Sequence, residues 1–69
     1  MTITLSYKKY PMTDRFSLFI ERYADKPYFT PFWRYGIVDE QTGHATPYAG
    51  MLFSRPTPKR CKERLQGMV

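Results

Sequence analysis

"RFSLFIERY", residues 15–23, decides the fold. Read with a period of two, Phe16, Leu18 and Ile20 share one face of a strand. Read with a period of 3.6, Phe16, Phe19, Ile20 and Tyr23 fall on one face of a helix, with Thr13 or Asp14 available to cap it. Nine residues between turn signals suit a strand better than a stable helix. The density of aromatic side chains points the same way. The strand reading is carried forward, with the helix as its competitor.

Turn chemistry frames this segment on both sides. Upstream, "TITLSYK" alternates Ile3, Leu5 and Tyr7 against Thr and Ser, the pattern of a half-buried strand. "YPMTD" then supplies Pro11 and Asp14 as turn residues. Downstream, "ADKP" is a turn. In "YFTPFWRYGIVDE", Trp33, Tyr35 and Ile37 alternate with Phe32, Arg34, Gly36 and Val38. Pro31 has no N–H to give a central ladder, so regular pairing is expected to begin after it. "DEQTG" is a hairpin turn in which Gly43 takes a positive φ. "HATPYAGMLF" returns as a strand whose Pro47 and Gly50 mark an edge or a bulge.

The last element is "SRPTPKRCKERLQG", residues 54–67. Thr57 is a candidate N-cap, and Pro58 at the first helical position loses nothing by lacking an N–H. Cys61, Leu65 and Met68 make one narrow apolar stripe, and Gly67 is placed to end the helix. The expected fold is α+β: a small antiparallel meander of three to four strands packed by one short C-terminal helix. This order of elements resembles the small arm-binding modules of phage tyrosine integrases, in which a three-stranded sheet carries a helix. The likeness covers roughly residues 15–66 and lies in the order of elements; separately, a chain this short, without catalytic motifs, is expected to come from a phage or another mobile element.

Size sets the energetic frame. A chain of 69 residues is one domain. Such a domain buries only about 60% of the surface its unfolded chain exposes, so its margin of stability is thin. Its single cysteine, Cys61, has no disulfide partner in the chain, and Cys61 with the single histidine, His44, falls short of a four-ligand zinc site. Six Tyr, five Phe and one Trp must supply the buried area instead. No segment approaches the roughly 20 apolar residues of a membrane span, and the N-terminus lacks the pattern of a signal peptide. The expectation is a cytoplasmic protein with no membrane partner.

Catalysis finds little support. A nucleophile needs a base within hydrogen-bond reach and a third group to orient that base. His44 follows a turn, whereas Cys61 sits in an apolar stripe on another element. Asp39 and Glu40 are adjacent, so they point different ways rather than facing each other across a substrate. Neither a phosphate loop nor a metal-ligand spacing occurs. The chain reads as a binding protein rather than an enzyme, with no cofactor.

Its charge is more telling. The net +5 divides into +1 over residues 1–53 and +4 over residues 54–69. Arg55, Lys59, Arg60, Lys62 and Arg64 carry the excess, and Lys8 and Lys9 are candidates to extend it. Positive charge at a helix start opposes the helix dipole, at a cost of a few tenths of a kcal/mol for each exposed charge. Such a patch suits a polyanion, so the first reading is nucleic-acid binding through the C-terminal helix. "YFTPFWRYG" adds five rings within Tyr28 to Tyr35. Trp33, Tyr35 and Ile37 should face the helix, leaving Phe32 and Arg34, with Tyr28 nearby, on the opposite face. That set suits core packing, a protein interface or base stacking. The second reading is therefore a protein-binding inhibitor or adaptor that blocks a host nucleic-acid-processing or defence complex. In size and in lacking catalytic motifs the chain is similar to anti-CRISPR proteins. A third reading is self-association across the open face of the sheet.

Overall fold

Eight of the contested nine residues, Phe16 to Tyr23, are strand. In a computed structural model that describes residues 2–25 and 30–68, the chain runs β1 (Thr2–Pro11), β2 (Phe16–Asp25), β3 (Pro31–Asp39), β4 (His44–Leu52) and α1 (Pro58–Leu65). A 3-10 turn, Gln66–Met68, follows α1. The four strands form one antiparallel sheet in the order β1-β2-β3-β4, an open meander backed by the helix. The expected α+β architecture is thus the observed one. No helix among the described residues is long and apolar enough to cross a membrane.

Strand β2 wins over the helix reading because both of its faces are buried. Leu18 and Ile20 point toward α1, where they join Tyr35, Cys61 and Leu65 in the main core. Phe19 and Glu21, which alternate with them, are buried on the other face. A surface helix buries a single stripe, whereas a central strand buries alternate residues on both sides. The register fixes the faces: Leu18 pairs with Ile37 and Ile20 with Tyr35, while Phe19 pairs with Gly36 and Glu21 with Arg34. Trp33, Tyr35 and Ile37 therefore do face the helix, and Phe32 and Arg34 do lie opposite.

Strand β1 departs from its expected alternation. A bulge between Thr4 and Ser6 leaves Leu5 as the extra residue. The bulge reverses the parity of the strand, because one inserted residue swaps the faces of everything beyond it. Ile3 pairs with Ala24 on the helix-bearing face, whereas Tyr7 pairs with Glu21 on the opposite face. Ile3, Leu5 and Tyr7 thus do not share a side, and all three are exposed. The same parity separates the two lysines, placing Lys8 opposite Ile20 and Lys9 opposite Phe19.

Turns and caps follow the sequence in part: Pro11, read as a turn residue, is the last residue of β1 and pairs with Ser17. Gly43 has a φ of 77°, as the hairpin requires. Pro31 is the first residue of β3 and already pairs with Ala24, so pairing starts at the proline rather than after it. Thr57 precedes the helix with Pro58 at its start, yet its side chain makes no capping hydrogen bond. Its carbonyl instead accepts from the Cys61 N–H at 3.0 Å. Gly67 does not take the left-handed conformation of a helix stop; the chain tightens into the 3-10 turn instead. Cys61 and Leu65 form the buried seam of α1, while the Met68 side chain lies outside the described set.

Strand β4 is an edge, as its Pro47 and Gly50 indicate, and it carries two bulges against β3. Gly36 is what lets it approach. A Cβ at this position would stand 2.2 Å from the Thr46 carbonyl oxygen, 2.8 Å from the Pro47 Cα and 2.7 Å from the edge of the Phe19 ring. Two of these neighbours are backbone and have no rotamer to change. Farther along, Met51 adopts a φ of 55°, which L side chains visit at a cost. Its N–H donates to the Tyr23 hydroxyl at 3.1 Å, fixing the bend.

Ion pairs close the hairpin ends. Arg15 donates two hydrogen bonds to Asp39, at 3.0 and 2.8 Å, and Lys9 pairs with Glu40 at 3.1 Å. The hydrogen bonds from Arg15 hold the Asp39 carboxyl below its ordinary range.

Two outcomes follow. Gly36→Ala overpacks the β3–β4 ladder and should cost about 3 kcal/mol or more in urea unfolding. Gly67→Ala, where an added Cβ meets nothing within 4 Å, should be neutral or slightly stabilising. For Asp39, whose folded pKa is depressed, the stabilising contribution is present above the unfolded carboxylate pKa of about 3.9. It is lost as pH falls through the lower folded value. Thermal melts of Asp39→Asn should therefore show a shallower loss of stability on acidification than the parent chain.

Candidate polyanion-binding cleft

Helix α1 is eight residues long, about 12 Å. It lies against β2 and β3 through Cys61 and Leu65, leaving a gap toward β4. That gap is a cleft of about 440 Å³. Arg60 and Arg64, one helical turn apart, line its helix side. Arg55 lines it from the segment leading into the helix, and Tyr35, Leu52 and Phe53 from the sheet side. Three arginines of the basic C-terminal stretch thus line one concavity.

The structure divides the five expected basic residues. Arg55, Arg60 and Arg64 share the cleft. Lys59 and Lys62 do not line it. Lys62 and Arg64 also belong to the last turn of α1, where positive charge suits the dipole. Of the residues read as a basic helix start, only Lys59 and Arg60 oppose the dipole. The first turn contains no acidic residue to offset them.

A second hollow, of about 230 Å³, lies on the same side of the sheet. Lys8, Ile20, Trp33 and Arg55 line it, so Arg55 belongs to both concavities. The Trp33 ring lies 5.7 Å from the Arg22 guanidinium carbon and 6.0 Å from that of Arg55. Lys8 therefore extends the basic surface. Lys9 does not, being turned to the opposite face and paired with Glu40.

Charge pairing sharpens the contrast between sheet and helix. Glu21, Asp39 and Glu40 each hold a cation of the sheet or its hairpin ends: Arg34, Arg15 and Lys9. Among the described residues, Arg55, Arg60 and Arg64 have no carboxylate partner. The surplus charge is thus concentrated around the cleft.

The opposite face was expected to offer Phe32, Arg34 and Tyr28. Tyr28 lies outside the described residues. Phe32 is half-buried between the rings of Tyr23, at 6.1 Å, and Phe53, at 5.4 Å. Arg34 donates to the buried Glu21 carboxylate, which also accepts a 2.6 Å hydrogen bond from the Thr4 hydroxyl. The Arg34 guanidinium lies 4.8 Å over the Tyr23 ring. A buried carboxylate needs this pairing, so Arg34 is bound into the structure of its own sheet.

Sequence reasoning missed Phe53. It is 81% exposed, touches Phe32 and lines the cleft. Its signal was its position, the last apolar residue before the basic stretch. Cys61 is buried at the cleft floor, and burial pushes its thiol above the ordinary range, against the opposing influence of Arg64. His44 is exposed at the start of β4.

Removing the Arg34 side chain strands Glu21 in an apolar setting. Arg34→Ala should cost roughly 2–4 kcal/mol in urea unfolding, with the Glu21→Gln/Arg34→Ala double variant recovering part of the loss. Equal stability of Arg34→Ala and the parent would show that Glu21 is solvated after all. No family model matches this chain, and no curated protein and no solved structure matches it.

Proposed function

We propose that this chain is a non-enzymatic protein that binds nucleic acid through the surface around α1. The observation that carries the reading is the separation of charge: carboxylates of the sheet and its hairpin ends hold the cations there, while Arg55, Arg60 and Arg64 line one cleft without a carboxylate partner among the described residues. Like charges brought together cost free energy unless an anion joins them. Guanidinium groups present planar forks of donors that match phosphate oxygens. Lys8 and Arg22 carry the same sign along the helix-bearing face, beside an indole flanked by two guanidinium groups. Cationic grooves with aromatic side chains are the physical means by which proteins hold nucleic-acid backbones and bases. A phage or mobile-element origin fits a module of this size and composition.

A second reading rests on a different observation. Tyr7, Met51 and Phe53 are exposed, and Tyr7 belongs to the face that α1 does not cover. An inhibitor or adaptor that blocks a host defence complex, as anti-CRISPR proteins do, would use such side chains as anchors. That reading calls for a stoichiometric, salt-tolerant complex with one cellular protein.

The test is the salt dependence of binding to labelled DNA and RNA. Each phosphate neutralised contributes about 0.7 (single strand) to 0.9 (duplex) to the slope of log K against log salt. The Arg55→Gln/Arg60→Gln/Arg64→Gln variant should lose binding near physiological salt and reduce the slope by about 2–3. Lys59→Gln, outside the cleft, should reduce it by at most about 1. Absence of binding by the parent chain, or equal slopes in the parent and the triple variant, overturns the reading.

A further inference from the structure

We propose that the cleft between α1 and β4 receives one unpaired nucleotide of a single-stranded nucleic acid. Its phosphate lies among Arg55, Arg60 and Arg64, and its base lies against Phe53. The inference rests on the nucleic-acid reading above and goes further by naming the form of nucleic acid.

Shape is the first reason. A helix that reads a duplex projects its side chains outward into a groove about 12 Å wide. Here Arg60 and Arg64 line a concavity between the helix and the sheet. A duplex phosphate reaches into a concave site only with its neighbouring base pairs in tow. A flexible single strand can deliver one phosphate and one base together. The cleft, at about 440 Å³, lies in the size range of sites that enclose one small molecule.

Composition is the second reason. The cleft is lined by three arginines, by the aromatic residues Tyr35 and Phe53, and by the apolar Ala49, Leu52 and Cys61. A nucleotide has the same division, an anionic phosphate and a planar apolar base. Phe53 is the side chain that makes the match specific. A phenyl ring left 81% exposed is poorly placed for stability, because its apolar area stays in water. Phe53 stands at the rim of the cleft, where its ring also touches Phe32 of the opposite face at 5.4 Å, a contact that restrains the ring while leaving most of its surface open. A restrained, open ring beside phosphate-binding groups is a stacking platform.

Selection against duplex follows from the same geometry. A paired base is already stacked above and below, so Phe53 gains nothing from it. An unpaired base gains a stacking partner, and the site does not depend on which base it is. Ribose and deoxyribose strands present the same phosphate and the same rings, so both belong to the proposal.

Fluorescence anisotropy near physiological salt tests it, with labelled oligo-thymidine, oligo-uridine and a mixed-sequence duplex of equal length. At least one single strand should bind about tenfold or more tightly than the duplex. Phe53→Leu should weaken single-strand binding by about tenfold, the effect of losing one stacked base, and leave duplex binding unchanged. Its salt slope should match the parent, whereas Arg60→Gln should lower the slope by about 0.7. Because Phe53 is exposed, a thermal melt matching the parent confirms that Phe53→Leu is folded. Duplex bound as tightly as single strands, or single-strand binding indifferent to Phe53→Leu, overturns this inference and leaves the nucleic-acid reading standing. Absence of binding to all three probes overturns both.

Discussion

A four-stranded sheet has two faces, and among the described residues one eight-residue helix is there to cover them. The rest of the structure answers that shortage. On one side, Cys61 and Leu65 of α1 press on Leu18, Ile20 and Tyr35 to make an ordinary apolar core. On the other side, the sheet covers itself. Tyr7 stacks on Phe19 at 5.7 Å, with the rings 14° from parallel. The Phe19 edge lies over Gly36, and the bulged β4 strand closes against the same glycine. Tyr23, Phe32 and Phe53 form a row of rings toward the far end. Large side chains replace a second helix because each ring removes more area from water than an aliphatic residue can.

That solution admits one ion pair, Glu21 with Arg34, into the covered face and accounts for how the other charges are arranged. Glu21 is buried among the rings, held by Arg34 and Thr4. Arg34 is thereby committed, and Arg15 and Lys9 are likewise committed at the hairpin ends. Cations of the C-terminal segment have no such duty within the described sheet. The electrostatic asymmetry seen in the composition is therefore sharper in three dimensions than along the chain. It is gathered on the face that carries the helix.

The fold was legible in the sequence where turn chemistry and periodicity agree. Gly43 and Pro58 sit where their backbone preferences place them, and the strands between the turns follow. The alternation of Trp33, Tyr35 and Ile37 against Phe32 and Arg34 was equally plain. Hidden were the features that depend on one residue being out of step. The bulge at Leu5 has no glycine to announce it, yet it moves Tyr7 and Lys9 to one face and Lys8 to the other. The Glu21–Arg34 pair joins residues 13 apart, a separation that local pattern cannot read. In the site, the basic cluster was visible, but which of its members converge was not. Helical spacing groups Arg60 with Arg64, while only the path of residues 54–57 brings Arg55 and Phe53 to the same cleft.

The meander order also governs how the chain assembles. Every ladder joins strands that are consecutive in sequence, so each is closed by one connection and none waits for a distant partner. Short closures lose little chain entropy, and sheets built from them fold faster than sheets with crossovers of similar size. Strand β2, which belongs to two ladders, is completed by either neighbouring hairpin. The helix comes last in sequence and rests on β2 and β3, so its docking surface exists only after the central hairpin has formed. The cleft consequently needs three parts at once: the central hairpin, the β4 edge and the docked helix.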